Sequence, residues 1–281
     1  MKTSLIALFS LFILSTAYSQ KLKGNKIVST EELNVEGFHT IEIYEDFEVT
    51  LDERMDNIVR VKTDSNLHEA VDIIVRDSIL TIKTNAEIRS SKELAVEILY
   101  TTGLRKIILH DKVNLKSLTP VKTKDITLEP RDNSEMFLTV DANTLNYFGH
   151  GKSETELHVS AKRTSYEINE NAKIEGIITS DSLKIDLYQK GTAKLEGDIQ
   201  SLEVRADNNT NFYGEKLTSK KTILIAESDS DCYVFTKEEI IIDGRDKAEI
   251  YILGQPKIIV NRFSEEATLY KKKENYSPGF F

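Results

Sequence analysis

Oxygen-bearing side chains recur at a fixed place along this chain. Asp111, Asp132, Glu170, Asn208, Asp246 and Glu265 each stand two positions before Val113 or a small residue. Asn133, Asn171, Asn209 and Asp229 stand one position before. Carboxylates and amide oxygens stacked in a column are what calcium takes, so Asp111, Asp132, Glu170 and Asp246 are the candidate metal ligands. Asn and Asp also tolerate left-handed backbone and cap their own turns, so the same column reads equally as turn chemistry. The G-G-x-G-x-D calcium repeat is absent.

Other residue types with chemical potential are sparse. The histidines His39, His68, His110, His150 and His158 form no H-E-x-x-H and no cysteine–histidine zinc cluster. His150, between Gly149 and Gly151, is either an exposed ligand or part of a tight turn. Cys232 is the one cysteine. With no basic neighbour to lower its pKa it reads as a small hydrophobe rather than a nucleophile. Asp229 and Asp231 flank Ser230, but alternation puts both on one outward face, and nothing marks the cleft that glycoside hydrolysis needs. Trp is absent, so any sugar-stacking ring would be a tyrosine such as Tyr147, Tyr166, Tyr188 or Tyr213. Asp77-Ser78-Ile79 and Asp181-Ser182-Leu183 resemble a bacterial O-glycosylation acceptor and read equally as turns entering strands. No catalytic residue and no cofactor site emerges.

What positions these residues is a repeat. A small residue followed two positions later by an apolar one recurs at Ser134, Ser153, Ala172, Ala193, Thr210, Ser230, Ala248 and Ala267, with Val113 as first member. The partners are Leu115, Met136, Thr155, Ile174, Leu195, Phe212, Cys232, Ile250 and Leu269, and the steps run from 17 to 21. The echo of Ala172-Lys173-Ile174-Glu175-Gly176 in Ala193-Lys194-Leu195-Glu196-Gly197 belongs to this series. Each unit also carries an alternating run such as "LKIDLY" or "TILIA", the period of a strand. A unit this short cannot bury its own apolar face, but stacked units at about 4.8 Å can. The expectation is an all-β fold, a right-handed parallel β-helix, with the alanines at strand entrances and Gly176 and Gly197 at the following corners.

Residues 37–104 read as a β-rich section expected to cap the first solenoid turn, 105–270 as solenoid, and 271–281 as a tail in which Lys271-Lys272-Lys273 is a solvated end. Lys2, the apolar run from Leu5 to Leu14 and Ala17-Tyr18-Ser19 read as a signal peptide over 1–19, with 20–36 an N-terminal segment. The run is shorter than the about twenty residues a membrane span requires, and no later run reaches that length. A net charge of −9 argues against nucleic acid, which needs clustered Lys and Arg. A single cysteine leaves no internal disulfide, so packing must supply the stability.

"FHTIEIYEDFEVTL", "VKTDSNLHEAVDIIVRDSILTIKT" and "AEIYILGQPKI" resemble the head GIN domain family, labelled "putative auto-transporter adhesin", across residues 36 to 270. The most specific parts are Asp64-Ser65-Asn66-Leu67 and Gly254-Gln255-Pro256. Members often carry Gly-Ser-Gly turns. This chain has Gly149-His150-Gly151 and scattered single glycines, so it is a divergent member. The resemblance implies a β-helical fold, export, and no catalytic residues. The functional expectation is an exported, non-enzymatic adhesin-like solenoid that binds a glycan or surface protein at the cell envelope. A structural envelope component without a small ligand and a polysaccharide-active enzyme are the alternatives.

Overall fold

The computed structural model describes residues 21–276 and Pro278; the signal segment expected over 1–19 lies outside the described residues. The molecule is a β-solenoid of about nine turns, and no described helix is long and apolar enough to cross a membrane.

The central coils show how the sequence makes this shape. Along the strand Glu135–Gly149, Met136, Leu138, Val140 and Ala142 point inward, then the alternation slips by one and Leu145, Tyr147 and Gly149 point inward. The slip is a corner, so one long strand contributes to two faces: a front sheet before it and a back sheet after it. A turn then closes each coil, bonded from the N–H of its fourth residue to the carbonyl of its first, as in Ser134 to Arg131 at 3.0 Å and Ala172 to Asn169 at 3.1 Å. Glu135–Gly149, Glu154–Ile168, Lys173–Tyr188, Thr192–Asp207 and Asn211–Ala226 pair in parallel, each with the next. Like residues therefore stack. Ile185, Val204, Leu224 and Ile242 form one inward ladder without solvent exposure. Such burial contributes about 1.5–3 kcal/mol per side chain, and this core stands in for disulfides.

The small-residue column is real, with one correction. The coil-to-coil bonds run from Glu154 to Ser134, Lys173 to Ser153, Thr192 to Ala172, Asn211 to Gly191 and Asp231 to Thr210. Gly191, not Ala193, therefore stacks between Ala172 and Thr210. Ala193 pairs with Ile174 and Phe212, and Leu195 pairs with Gly176. The A-K-h-E-G echo is offset by two residues from the true register, which preserves inside and outside and so escapes detection by alternation. Gly176 and Gly197 are not at corners either. Both lie at inward positions within strands, where the neighbouring coil's backbone comes very close. A Cβ on Gly197, whose φ is +124°, would sit 2.1 Å from the Ile178 carbonyl oxygen.

The two ends differ. Near the N-terminus, Thr40–Ile43 and Glu48–Glu53 make a coil that pairs with Lys106–Leu109 and Asn114–Ser117 on one side. On its other side lie Ile79–Thr84 and Leu94–Tyr100, also parallel. Antiparallel strands cover that outer coil: Val71–Arg76 on Ile79–Thr84, and Ile58–Asp64 on Leu94–Tyr100, with Val28–Asn34 outermost. Asp64-Ser65-Asn66-Leu67 ties this end together. The Asp64 carboxylate accepts the backbone N–H of Lys26 and, at 2.6 Å, of Lys92, and Asn66 bonds Asn25 and Lys23. At the other end, Lys257–Phe263 and Thr268–Lys271 each pair on one side only among the described residues.

Candidate functional site

In the turns, the second residue has positive φ in coil after coil: Glu45, Asp111, Asp132, Gly151, Glu170, Gln189, Asn208, Ser228, Asp246 and Glu265. This conformation aims a backbone N–H along the column. The carboxylate one coil further on accepts it: Asp111 from Glu45 at 2.8 Å, Asp132 from Asp111 at 3.0 Å, Glu170 from Gly151 at 2.6 Å, and Asp246 from Ser228 at 3.1 Å. Of the four calcium candidates, the fold brings only Asp111 and Asp132 side by side. Among the described residues no group of three or more His, Cys, Asp or Glu side chains is placed to hold a metal ion. Asp111 and Asp132 do border a hollow of about 410 Å³ with Glu45, Asp46 and Glu87. Burial, then the Asp111 and Asp46 charges, hold the Glu45 carboxyl above the usual carboxylate range.

The remaining singled-out residues are absorbed by the fold. Cys232 is fully buried in the ladder between Phe212 and Ile250, and burial, then the Asp231 charge, raise its thiol pKa. His150 is the first residue of a turn, its N–H on the Pro130 carbonyl. Asp77 and Ser78, both with positive φ, are the two-residue loop of the hairpin Val71–Arg76 and Ile79–Thr84. Asp181 and Ser182 lie within Lys173–Tyr188. Tyr147 and Tyr166 are core residues in edge-to-face contact at 5.5 Å.

Tyr213 belongs to an outward column on the front sheet that the sequence reading missed. It pairs with Tyr233, Tyr233 with Tyr251 and Tyr251 with Tyr270. Their ring centroids are 5.5, 4.3 and 4.8 Å apart and their planes within 20° of parallel. The signal was present: "NFY", "DCY", "EIY" and "TLY" follow the small positions Thr210, Ser230, Ala248 and Ala267. The ring faces are turned toward one another, and Tyr233 is only 8% exposed. Burial pushes its hydroxyl pKa up to about 12.

In the same outward column, Glu156, Glu175 and Lys194 occupy the three coils before Tyr213, and before them stands Phe137. Phe137 pairs with Lys116 and Glu156, so no aromatic ring covers it, and it is 39% exposed. A hollow of about 200 Å³ with Lys116, Thr139, Glu156 and His158 lies on one side. Another of about 220 Å³ with Glu154, Glu156, Lys173 and Glu175 lies on the other. A flat apolar ring between two patches of charged hydrogen-bonding groups can hold a ligand that has both C–H faces and hydroxyls.

The family model described as "Putative auto-transporter adhesin, head GIN domain" matches residues 37–176 and 145–256. Its two overlapping matches suit a chain that repeats coil by coil. No curated protein matches. Among solved structures, a "putative adhesin" from Parabacteroides merdae aligns with a TM-score of 0.60 at 18% identity over 90% of this chain and 99% of that one. A "putative lipid binding protein" from Parabacteroides distasonis aligns with a TM-score of 0.59 at 14% identity over 90% and 100%. A "putative adhesin" from the same species aligns with a TM-score of 0.53 at 20% identity over 90% and 100%. At such identities the likeness is one of fold.

Proposed function

The chain belongs to the head GIN domain family of auto-transporter adhesin-like proteins, and from that premise we propose that it is an exported, non-enzymatic adhesin-like module whose front sheet binds a glycan through Phe137. Fold alone does not choose a ligand, since structures of this shape include two named adhesins and one named lipid binder. The observation that carries the reading is one unstacked, exposed ring between two small hollows lined with carboxylates and ammonium groups. Neither hollow reaches the about 300 Å³ of an ordinary small-molecule pocket. They suit successive units of a chain running over the surface better than an enclosed ligand. The reading of residues 1–19 as a signal segment supports export, and the cell surface is where such a module would meet a glycan. A structural envelope role is supported by the ion pairs that tie neighbouring coils on the same face, Lys173–Glu154 at 2.9 Å and Lys216–Glu196 at 2.7 Å.

The test is a glycan array with the mature protein and with Phe137→Ala. Binding by the wild type that falls at least tenfold in the variant, at unchanged Tm, supports the reading. No glycan bound, or equal binding by both proteins, sinks it in favour of the structural role.

A further inference from the structure

The front sheet carries a third hollow, larger than the two beside Phe137. It measures about 370 Å³, lies over the N-terminal coils and is bordered by Glu48, Thr50, Arg60, Lys62, Glu97 and Lys116. Its floor is Ala95, at an outward position between Lys62 in one neighbouring strand and Glu48 in the other. A methyl group stands where the flanking strands carry long side chains, and the space above it is left open. The walls are fixed: Arg60 binds Glu32 at 2.7 Å and Glu97 at 2.9 Å, and Lys62 binds Glu93 at 2.7 Å. Lys116 differs from the other lysines of this sheet. Lys173, Lys194 and Lys216 each reach a glutamate of the preceding coil, Glu154 at 2.9 Å, Glu175 at 3.7 Å and Glu196 at 2.7 Å. Lys116 is exposed, and its neighbours in the adjacent coils are Thr50 and Phe137. Among the described residues no carboxylate forms a salt bridge with it, so its N–H donors are open to a ligand.

The three hollows are joined. Lys116 borders both the hollow over Ala95 and the first of the two beside Phe137, and Phe137 and Glu156 border both of the latter. Glu97, Thr50, Lys116, Phe137, Glu156 and Glu175 succeed one another across the sheet. These five strand steps cover about 24 Å at the usual strand spacing, along the solenoid axis and across the strands. The hollow over Ala95 falls within the range of ordinary ligand pockets, which begins at about 300 Å³. Its methyl floor suits the C–H face of a sugar, and Thr50 and Lys116 can bond hydroxyls. Walls already fixed by ion pairs lose little side-chain freedom when a ligand arrives. We propose that the hollow over Ala95 is a further subsite continuous with the Phe137 face, so that the ligand is an internal stretch of a linear polysaccharide lying along the solenoid axis, not the tip of a short branched glycan. This subsite rests on the glycan reading of Phe137 and gives that ligand a length and a direction. Lys116 stands between the subsites and donates to the units on either side of it.

Cello-, chito- and galacturono-oligosaccharides from dimer to hexamer, a neutral, an acetamido and an acidic series, are titrated calorimetrically against the mature wild type, Ala95→Arg and Phe137→Ala. An arginine at position 95 can reach Glu48, its neighbour across the strand pair, and close the hollow without touching Phe137. The expected result in at least one series is a wild-type Kd that falls at least tenfold from dimer to tetramer. Ala95→Arg should bind the dimer within twofold of wild type and lose the gain on lengthening, whereas Phe137→Ala should bind at least tenfold more weakly at every length. Should Ala95→Arg lose its β circular-dichroism signal, Ala95→Gln takes its place. Binding that depends on Phe137 but does not strengthen with length overturns the subsite and leaves the glycan reading standing. So does an Ala95→Arg variant that matches the wild type at every length or that weakens dimer and tetramer equally. Binding unchanged in Phe137→Ala strikes the glycan reading itself and the subsite with it, and binding in none of the three series overturns the subsite.

Discussion

Phe137 and the tyrosines of the C-terminal coils occupy the same outward column of the same sheet, yet they are opposite in character. Phe137 has Lys116 and Glu156 for neighbours, so no ring stacks on it from either adjacent coil and it is partly exposed. Tyr233 and Tyr251 each lie between two other tyrosines, so their faces are spent on stacking, and Tyr270, which ends the ladder, keeps one face on Tyr251. In a solenoid the neighbour one coil away decides whether an aromatic side chain is a surface or a strut. A ladder of four rings advertises itself as a sugar platform and is the poorer candidate, because a sugar needs an open face.

The most damaging way to separate the two regions is from below. Cys232 lies in the core directly beneath the tyrosine column. Cys232→Asp places an unpaired carboxylate there and should lower stability by about 3–5 kcal/mol. Each coil leans on its neighbours, so amide exchange should accelerate first near Phe212 and Ile250 and leave the coil of Phe137 protected. Uniform loss of protection would show that the two regions are one cooperative unit. Cys232→Ala should be far milder, about 1 kcal/mol, and the native thiol should resist a bulky maleimide.

Truncation at the surface should split the pair more finely. Tyr233→Ala removes a stacked, largely buried ring and should lower stability by about 2 kcal/mol, read from urea melts, without touching the Phe137 face. Phe137→Ala should stay within about 0.5 kcal/mol of wild type. A Phe137 variant as unstable as the Tyr233 one would mean that both rings are struts.

Alkali offers a subtler handle, since a tyrosine ring titrates and a phenylalanine ring does not. Burial raises the Tyr233 hydroxyl from an unfolded value near 10 to about 12. A raised folded pKa means that this stabilisation is complete below pH 10 and is lost as pH climbs toward 12. Melting temperature should decline over that window, with phenolate absorbance at 295 nm rising late for the buried ring. A ladder that ionises fully at pH 10 would contradict the stacking described.

The smallest expected effect concerns the turn column. Its carboxylates already accept backbone N–H groups, so chelator should leave the melting temperature unchanged. A rise of several degrees in millimolar calcium would restore Asp111, Asp132, Glu170 and Asp246 as ligands, because a ligand bound only by the native state must stabilise it.

The solenoid was legible because its rule is local: alternation, a small residue at a crowded turn, and a repeat near nineteen. Where the register failed, it failed by two residues at Ala193. The coil-to-coil bonds from Thr192 to Ala172 and from Asn211 to Gly191, with the pairing of Ala193 to Ile174, separate that choice from the correct one, and a two-residue slip leaves every side chain on its proper face. The tyrosine column was written in the sequence and became visible only once the register was known. Phe137 could not be found in this way. Its interest lies in what its neighbours in adjacent coils fail to cover, and that depends on pairings 19 and 21 residues away.

The threading of the N-terminal coils bears on how the chain assembles. Ribosomes release the N-terminus first, at about 5–20 residues per second. Thr40–Ile43 finds its partners in Ile79–Thr84 on one side and Lys106–Leu109 on the other, so the coil that emerges first must wait for later strands on both of its sides. Coils further along need only the next nineteen or so residues to add a layer. Closing the longer loop costs about 1 kcal/mol more in chain entropy, and it must be met before a template exists. The N-terminal coils therefore depend on strands from well beyond the next coil, whereas each central coil pairs with the coil that directly follows it.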